Sequence, residues 1–360
     1  MQLPSADQLP YADIATPREH SVDAHFVPMR CPRPLCPTHI EGGFDFTSVG
    51  TFDRKVDKRV VQRFKCTTCG KGFSSQTFRV DYRLKKPWLP LGLFQGLVSK
   101  TSLRQSARNL GSKLDTMLRL LARLGEHSLE VHNAFLERHR LSGGWIEGIF
   151  QLDELETFEL DRRLCPLTVP ILIHKETRFV VHTDTATLPA RGNLRPRDQA
   201  RKQAREAKFG KRVNGSKSAV TRSFAALHAQ LAPDAAFHVQ TDEKKSYRPI
   251  LREVFKRPVS HQWVNSKVER GRENLLFPIN NVLAQTRDNL GRLVRRSWGH
   301  SKLERNLRWH LAVWMLYRNY VRERSWYYRR TSSAVDAGVA RRRVLPREIL
   351  AWRGVLPAAA

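Results

Sequence analysis

Two close cysteine pairs constrain this chain more than any other feature. Cys31 and Cys36 have four residues between them, Cys66 and Cys69 have two, and 29 residues separate the pairs. Two such pairs on two turns, joined by a short antiparallel sheet, form the tetrahedral thiolate cage that zinc prefers. The second pair lies in RFKCTTCGKGFSSQTF, where Phe64, Phe73 and Phe78 can supply a small core. Pro32, Pro34 and Pro37 surround the first pair, and His39 offers a replacement for Cys36 as ligand. Four thiolates leave no open coordination position, so the expected Zn2+ is structural. The plainer alternative is four reduced, non-ligating cysteines. Cys165 stands apart beside Pro166 and reads as a buried structural residue.

Charge points to a partner. The 360 residues carry 63 Lys and Arg against 34 Asp and Glu, a formal net charge of +29. Such a surplus attracts a polyanion, and nucleic acid leads because released counterions drive its binding. Hydrophobic residues at 41% and aromatics at 9% exclude a wholly disordered chain. No run approaches the roughly 18 apolar residues of a membrane span, and the first twenty residues have no apolar signal core. The expectation is a cytoplasmic, nucleoid-associated protein with no membrane partner.

Composition shifts divide the chain. Residues 1–28 read as a loose polar leader, 29–85 as the cysteine module and 86–142 as helical. Residues 143–328 alternate strands and helices, and 329–360 read as a peripheral tail. Within the helical part, Ser102 can cap one helix, Leu103, Ala107 and Leu110 point inward, Gly111 makes a turn, and Ser112 can cap the next helix. That second helix carries Lys113, Thr116, Arg119 and Arg123 on a polar face suited to phosphates and base edges. An ordinary helical hairpin is the alternative.

The following region opens with three strand-like stretches, GIFQLDELETF, LTVPILIHKE and RFVVHTDTAT. Residues 191–217 interrupt with ten Lys and Arg against two acids, which reads as a solvated insertion. Helix Ala219–Leu231, strand Phe237–Thr241, helix Tyr247–Phe255 and strand Val259–Asn265 follow, then a long helical region from Pro278 to Arg324. Asp153 lies in the first strand and Asp242 at the end of another. Two strand-borne carboxylates side by side are held ionised by cations, and a pair of Mg2+ or Mn2+ ions between them can clamp a phosphodiester. The alternative for Asp242 and Glu243 is a cap on the next helix.

The order CxxxxC, QRFKCTTCGKGFSSQTF, helix-turn-helix, LDELETF, VQTDEKKSY and RLVRRSWGHSK resembles prokaryotic insertion-sequence transposases of the DDE class, over roughly residues 30–325. The resemblance implies an α/β multi-domain chain in which a zinc ribbon and a helix-turn-helix precede an RNase H-like mixed sheet with flanking helices. It also implies Asp153 and Asp242 as the first two catalytic acids, metal-dependent cleavage and strand transfer on double-stranded DNA, and a homodimer or larger assembly. A non-catalytic DNA-binding regulator or a decayed copy stays open. The family's third acid has no simple counterpart. Asp288, on a face with Asn280, Ala284, Arg287 and Gly291, is the first candidate and Glu269 the second, with Glu273 nearby; an ion pair of Asp288 with Arg292 is the alternative. The basic stretch beginning RLVRRSWGHSK supplies Arg292, Arg295, Arg296 and Lys302 as expected DNA contacts, while Trp298, Leu303, Leu307, Val313, Trp314 and Leu316 form an apolar stripe.

Overall fold

A computed structural model of the chain describes residues 26–265, 269, 271–294, 299–325 and 330–353. The first unit is a three-stranded antiparallel sheet in the order β1 (Phe46–Asp53), β2 (Val60–Cys66), β3 (Gly72–Ser74), preceded by a single helical turn, α1 (Thr38–Glu41). Its core is aromatic. Phe64 and Phe73 are buried partners in the β2–β3 register, and Phe26, Phe44, Phe46 and Phe78 pack around them. Below this core lies an ion network that the sequence pattern does not reveal. Arg54 bridges Asp57 at 3.1 Å and Asp81 at 2.9 Å, Arg59 bonds Asp57 at 3.0 Å, and Gln76 donates to Asp81. Burial would raise the Asp81 carboxyl, but Arg79, Arg59 and Arg54 outweigh it and hold the group at about 2. The network fastens the β1–β2 hairpin to the chain that leads onward.

Three helices follow: α2 (Leu89–Val98), α3 (Leu103–Asn109) and α4 (Leu114–Leu141). Ser102 caps α3 as the sequence predicts, in a reciprocal capping box with Gln105. Gly111, at φ +55°, makes the turn. The second cap falls on Lys113 instead of Ser112, with no side-chain acceptor. Helix α4 is 28 residues long, and one face of it is core: Met117, Leu121, Leu124, Val131 and Phe135 are buried.

The central sheet has six strands: β4 (Gly148–Phe158), β5 (Pro166–His174), β6 (Val180–Thr183), β7 (Ala186–Thr187), β8 (Phe237–Asp242) and β9 (Ser260–Val264). Its order is β6-β5-β4-β8-β9, with β7 pairing β5. The β4–β5 and β5–β6 pairs are antiparallel, and β4–β8 and β8–β9 are parallel. Helices α5 (Pro196–Phe209) and α6 (Ser216–His228) lie between β7 and β8, and α7 (Tyr247–Phe255) between β8 and β9. After β9 come α8 (Phe277–Asn289), α9 (Glu304–Leu316), a π-helical turn at Tyr317–Val321, α10 (Ser333–Asp336) and α11 (Pro346–Ala351). The molecule is thus mixed α/β around a mixed sheet, with the cysteine unit at its N-terminal side.

Strand β5 is buried along nearly its whole length because both of its faces are covered. On one face Leu167, Val169, Ile171 and Ile173 pack with Ile279, Val282 and Leu283 of α8 and with Leu311 and Trp314 of α9. On the other, Phe150, Leu152 and Leu172 share a cluster with Leu124 and Phe135 of α4, Phe224 of α6 and Ile250 of α7. The helical module and the sheet therefore form one continuous core. The expected strands and helices stand within a few residues of the sequence reading, and α7 coincides with it.

Three expectations need correction. The long helix of 278–324 is two helices separated by a 3-10 turn at Gly291–Leu293. The C-terminal segment is not peripheral: Ala334, Val344 and Ile349 are buried in the main cluster, and His127 of α4 donates to the Ile349 carbonyl at 2.7 Å. The basic insertion is an ordered helix, α5, anchored by Arg163–Asp198 and Arg201–Asp161 ion pairs. Of the apolar stripe, Leu307, Val313, Trp314 and Leu316 are fully buried, Leu303 is exposed, and Trp298 lies outside the described residues. Among the described residues, no helix is long and apolar enough to cross a membrane.

Two stability predictions follow from the packing. Helix α4 meets α9 at Gly125, where a Cβ would lie 2.4 Å from Trp309 Cβ and 2.7 Å from its Cα. Gly125→Ala is expected to lower unfolding stability by about 1–3 kcal/mol through overpacking, read as a reduced urea midpoint; an unchanged midpoint contradicts the contact. Burial also lowers His127 and His132 to about 4 and His310 to about 3, whereas unfolded histidines titrate near ~6.5. Below pH ~6.5 the unfolded chain takes up protons that the folded chain refuses, so stability falls as pH drops toward 4. The thermal midpoint should decline from pH 7.0 to 5.5 in excess zinc, and a flat profile would refute the assignment.

Candidate functional site

The four paired cysteines converge. Their sulfurs all lie within 4.8 Å of one another, with Cys31–Cys69 at 3.5 Å and Cys36–Cys66 at 3.9 Å. A tetrahedral zinc with bonds near 2.3 Å needs sulfur separations of about 3.8 Å, so the cage fits that ion. The loop of the first pair leads into α1, and the second pair sits at the β2–β3 turn. Thr38 donates its hydroxyl to Cys36 Sγ at 3.2 Å, which lowers that thiol to about 6, while burial pushes Cys31 up to about 12. Four thiols this close resist ionising together, and a divalent cation removes the conflict. His39 is exposed and its Nε2 bonds the Arg33 carbonyl at 3.0 Å, so Cys36 and not His39 completes the set. Cys165 is fully buried away from the cluster, as expected.

A second constellation sits where β4 runs parallel to β8. The register pairs Gln151 with Gln240 and Leu152 with Thr241, which sets Asp153 beside Asp242 on adjacent strands about 4.8 Å apart. Both are half-buried. Side chains alternate along a strand, so the two aspartates share the face of Gln151 and Gln240, and Glu154 takes the other face. A row of amides, buried at Gln151 and Gln240 and exposed at Gln262, spans the three strands: Gln151 donates to Gln240 and Gln240 to Gln262, each at 2.8 Å. The start of α8 closes the row, because Ile279 N–H donates to Gln151 Oε1 at 3.0 Å and Gln151 donates to the Leu275 carbonyl at 2.6 Å.

Glu154 is bound from four elements. It accepts from Thr168 of β5 at 2.8 Å, Ser216 of α6 at 2.7 Å and Tyr247 of α7 at 2.9 Å, and it pairs with Lys244. Burial would raise its carboxyl, but these donors hold it below the ordinary value. Asp242 lies the other way: burial raises it, and the charges of Glu154 and Glu243 raise it further against the Lys244 N–H. Tyr247 is kept protonated by burial first and then by the carboxylates around it, of which Glu154 accepts its hydroxyl. The sequence reading assigned no role to Glu154, Ser216, Lys244 or Tyr247. Alternation along the strand was the one signal that separated Glu154 from Asp153.

The candidate third acids do not join the pair. Asp288 sits in the last turn of α8 with its side chain 75% exposed and bonded to Lys100 at 3.2 Å. It is nine residues beyond Ile279, or about 13 Å along the helix from the Gln151 contact. The face that meets the sheet is Ile279, Val282, Leu283 and Thr286, which leaves Asp288 outside. Glu269 and Glu273 are exposed residues of the segment between β9 and α8, and Asn274 ties that segment together by donating to the Glu269 carbonyl at 2.8 Å. Among the described residues the four cysteines are the only group of three or more potential ligands that converges.

The expected DNA-contacting residues divide. Lys113, Arg119 and Arg123 are exposed and line one cavity of about 810 Å3 together with Arg83, Lys85 and Lys86. Two of these six also hold its walls: Arg123 donates to the Tyr82 carbonyl at 2.8 Å and Lys86 to the Gly111 carbonyl at 2.6 Å. Only the first turns of α4 line this cavity. Arg292 corrects the expectation. It turns inward, donates to His310 Nδ1 at 3.1 Å, and is lowered to about 10 by burial. Lys302 is exposed and bonds His300, while Arg295 and Arg296 lie outside the described residues.

The purified chain is expected to bind one zinc, released stoichiometrically by a thiol-modifying reagent and reported by a metallochromic dye. Cys66→Ser should lose it, and full zinc occupancy in that variant would rule the cage out. No protein-family model matches the chain and no curated protein matches it, which leaves the geometry of these sites as the basis for assigning a function.

Proposed function

We propose that the protein is a DNA-processing enzyme that cleaves and transfers phosphodiester strands with the help of divalent metal, as an insertion-sequence transposase of the DDE class does. The observation that carries the reading is the β4–β8 register, which sets two half-buried aspartates side by side on the central strands of a mixed sheet. The strand order, three antiparallel strands continued by two parallel ones, is the arrangement expected of an RNase H-like core. The cysteine unit fits a zinc ribbon, and the turn at Gly111 fits a helix-turn-helix whose second helix offers only its N-terminal turns. The charge of +29 and the six cations around the cavity beside that turn suit a duplex backbone.

The donor set fits Mg2+ or Mn2+: Asp153 and Asp242 present oxygen ligands from neighbouring strands. Bound there, such ions would activate the attacking oxygen and stabilise the leaving one. The chain's own part is to hold the two carboxylates in register through the glutamine row and to keep Glu154 neutralised by Lys244. A third carboxylate is best sought in Glu269 or Glu273, because their segment leaves β9 at the sheet edge where Asp242 ends β8. Since none of these acids converges on the pair, a DNA-binding protein without catalysis is the second reading.

The test is a strand-cleavage and strand-transfer assay on labelled DNA in Mg2+. Asp153→Asn and Asp242→Asn should each lower the rate by at least about 100-fold while leaving DNA affinity unchanged. Equal activity in both variants sinks the enzyme and leaves the binding protein.

A further inference from the structure

The basic insertion holds a feature that neither the zinc cage nor the aspartate pair explains. Helix α5 ends on Phe209, whose side chain is 67% exposed. Arg205 Cζ and Lys208 Nζ each lie 5.3 Å from its ring centroid. Beside the ring opens a cavity of about 230 Å3 whose walls include Leu164, Lys202, Arg205, Lys211 and Val213. Val213 is itself 72% exposed. An exposed aromatic ring flanked by cations offers a nucleotide a stacking surface for its base and partners for its phosphates.

The other side chains of the insertion are committed to holding it in place. Arg191 pairs with Glu156, Arg201 with Asp161, Lys202 with Glu206, Arg212 with Glu159 and Lys217 with Glu253. Among the described residues, Arg195, Arg197, Arg205, Lys208 and Lys211 have no carboxylate partner. Arg212 also donates to the Leu188 and Pro166 carbonyls, so the turn after Phe209 is fixed on the sheet. The chain then enters α6 at Ser216, whose hydroxyl bonds Glu154, the neighbour of Asp153. Seven residues span from Phe209 to Ser216, at most about 24 Å of chain. The ring is therefore tethered within that reach of the helix whose Ser216 bonds the neighbour of Asp153.

We propose that α5 is a strand-holding element in which Phe209 stacks on an unpaired base of DNA bound at the aspartate pair, with Arg205, Lys208 and Lys211 on the flanking phosphates. Stacking on an exposed ring suits a base released from its duplex, since a paired base offers its faces only to its neighbours. This inference rests on the DNA-processing reading of the aspartate site.

Fluorescence anisotropy tests it with two labelled DNAs of equal length, a blunt duplex and a duplex with a single-stranded overhang. Phe209→Ala is expected to weaken overhang binding roughly 5- to 150-fold and leave the blunt duplex unchanged. Phe209→Trp should retain the affinity, with its emission quenched by the overhang. Equal affinities of wild type and Phe209→Ala for the overhang, or equal losses on both DNAs, overturn the proposal. The same titration in Asp153→Asn separates the two readings. A Phe209-dependent preference for the overhang without any Asp153-dependent cleavage in the wild type keeps the strand-holding element and removes the enzyme. Asp153-dependent cleavage with no effect of Phe209→Ala on binding does the reverse.

Discussion

Parallel pairing of β4 with β8 is the contact on which the rest of the molecule depends. The two strands are 78 residues apart in the chain, from Phe158 to Phe237, and nothing local brings them together. Their register is held by two buried glutamines, Gln151 and Gln240, whose amides bond in a row that ends on the exposed Gln262 of β9, and by the backbone of α8, which satisfies the β4 end of the row. Buried amides without partners would each cost about 1–3 kcal/mol, so the row tolerates one alignment. A slip of one residue would turn every side chain of β4 to the opposite face. Asp153 would leave Asp242, and Glu154 would lose all four of its donors. Sheet register and site geometry are therefore one constraint.

Neighbouring acids on β4 consequently live in different environments. Glu154 is surrounded by Lys244, Ser216, Thr168 and Tyr247 and behaves as a joint between the sheet and two helices. Asp153 and Asp242 share a face on which no described third acid converges with them. The same joint connects the insertion to the site, because Ser216 begins the helix that follows α5. A basic helix that looked solvated in sequence thereby gains a defined position relative to the aspartates, through hydrogen bonds to Glu154, Thr187 and Pro166.

The four-sulfur cage was legible because its cysteines come in short-range pairs, and spacing within a pair is a local property. The strands were legible because β-branched and aromatic runs bounded by turns are local too. Asp288 was misjudged for a related reason. Helical periodicity says which residues share a face, and Asn280, Ala284 and Gly291 suggested a close approach. The face that packs is chosen by the apolar residues Ile279, Val282 and Leu283, whose burial against β5 is worth more than any small-residue stripe. Arg292 was misjudged because a cation in a basic stretch is ordinarily solvated, and its inward turn depends on His310, eighteen residues away, which itself bonds the Leu97 carbonyl. The tail was misjudged because its apolar residues are sparse, and only the surface of α2 and α4 makes them a core.

Sequence alone determined the inventory. Cysteine spacing prescribed a four-sulfur cage, alternation prescribed strands, caps and glycines bounded helices, and the excess of lysine and arginine set a net charge of +29. Those properties depend on neighbours a few residues apart, so the order of residues encodes them directly. Tertiary structure alone decided which acid faces which, that Glu154 is held by four donors from other segments, that one face of α4 is core, and that the basic insertion leads into the helix whose Ser216 bonds Glu154. Each of these depends on pairings between segments tens to hundreds of residues apart, where burial and hydrogen bonding select one arrangement among many that the local pattern would permit.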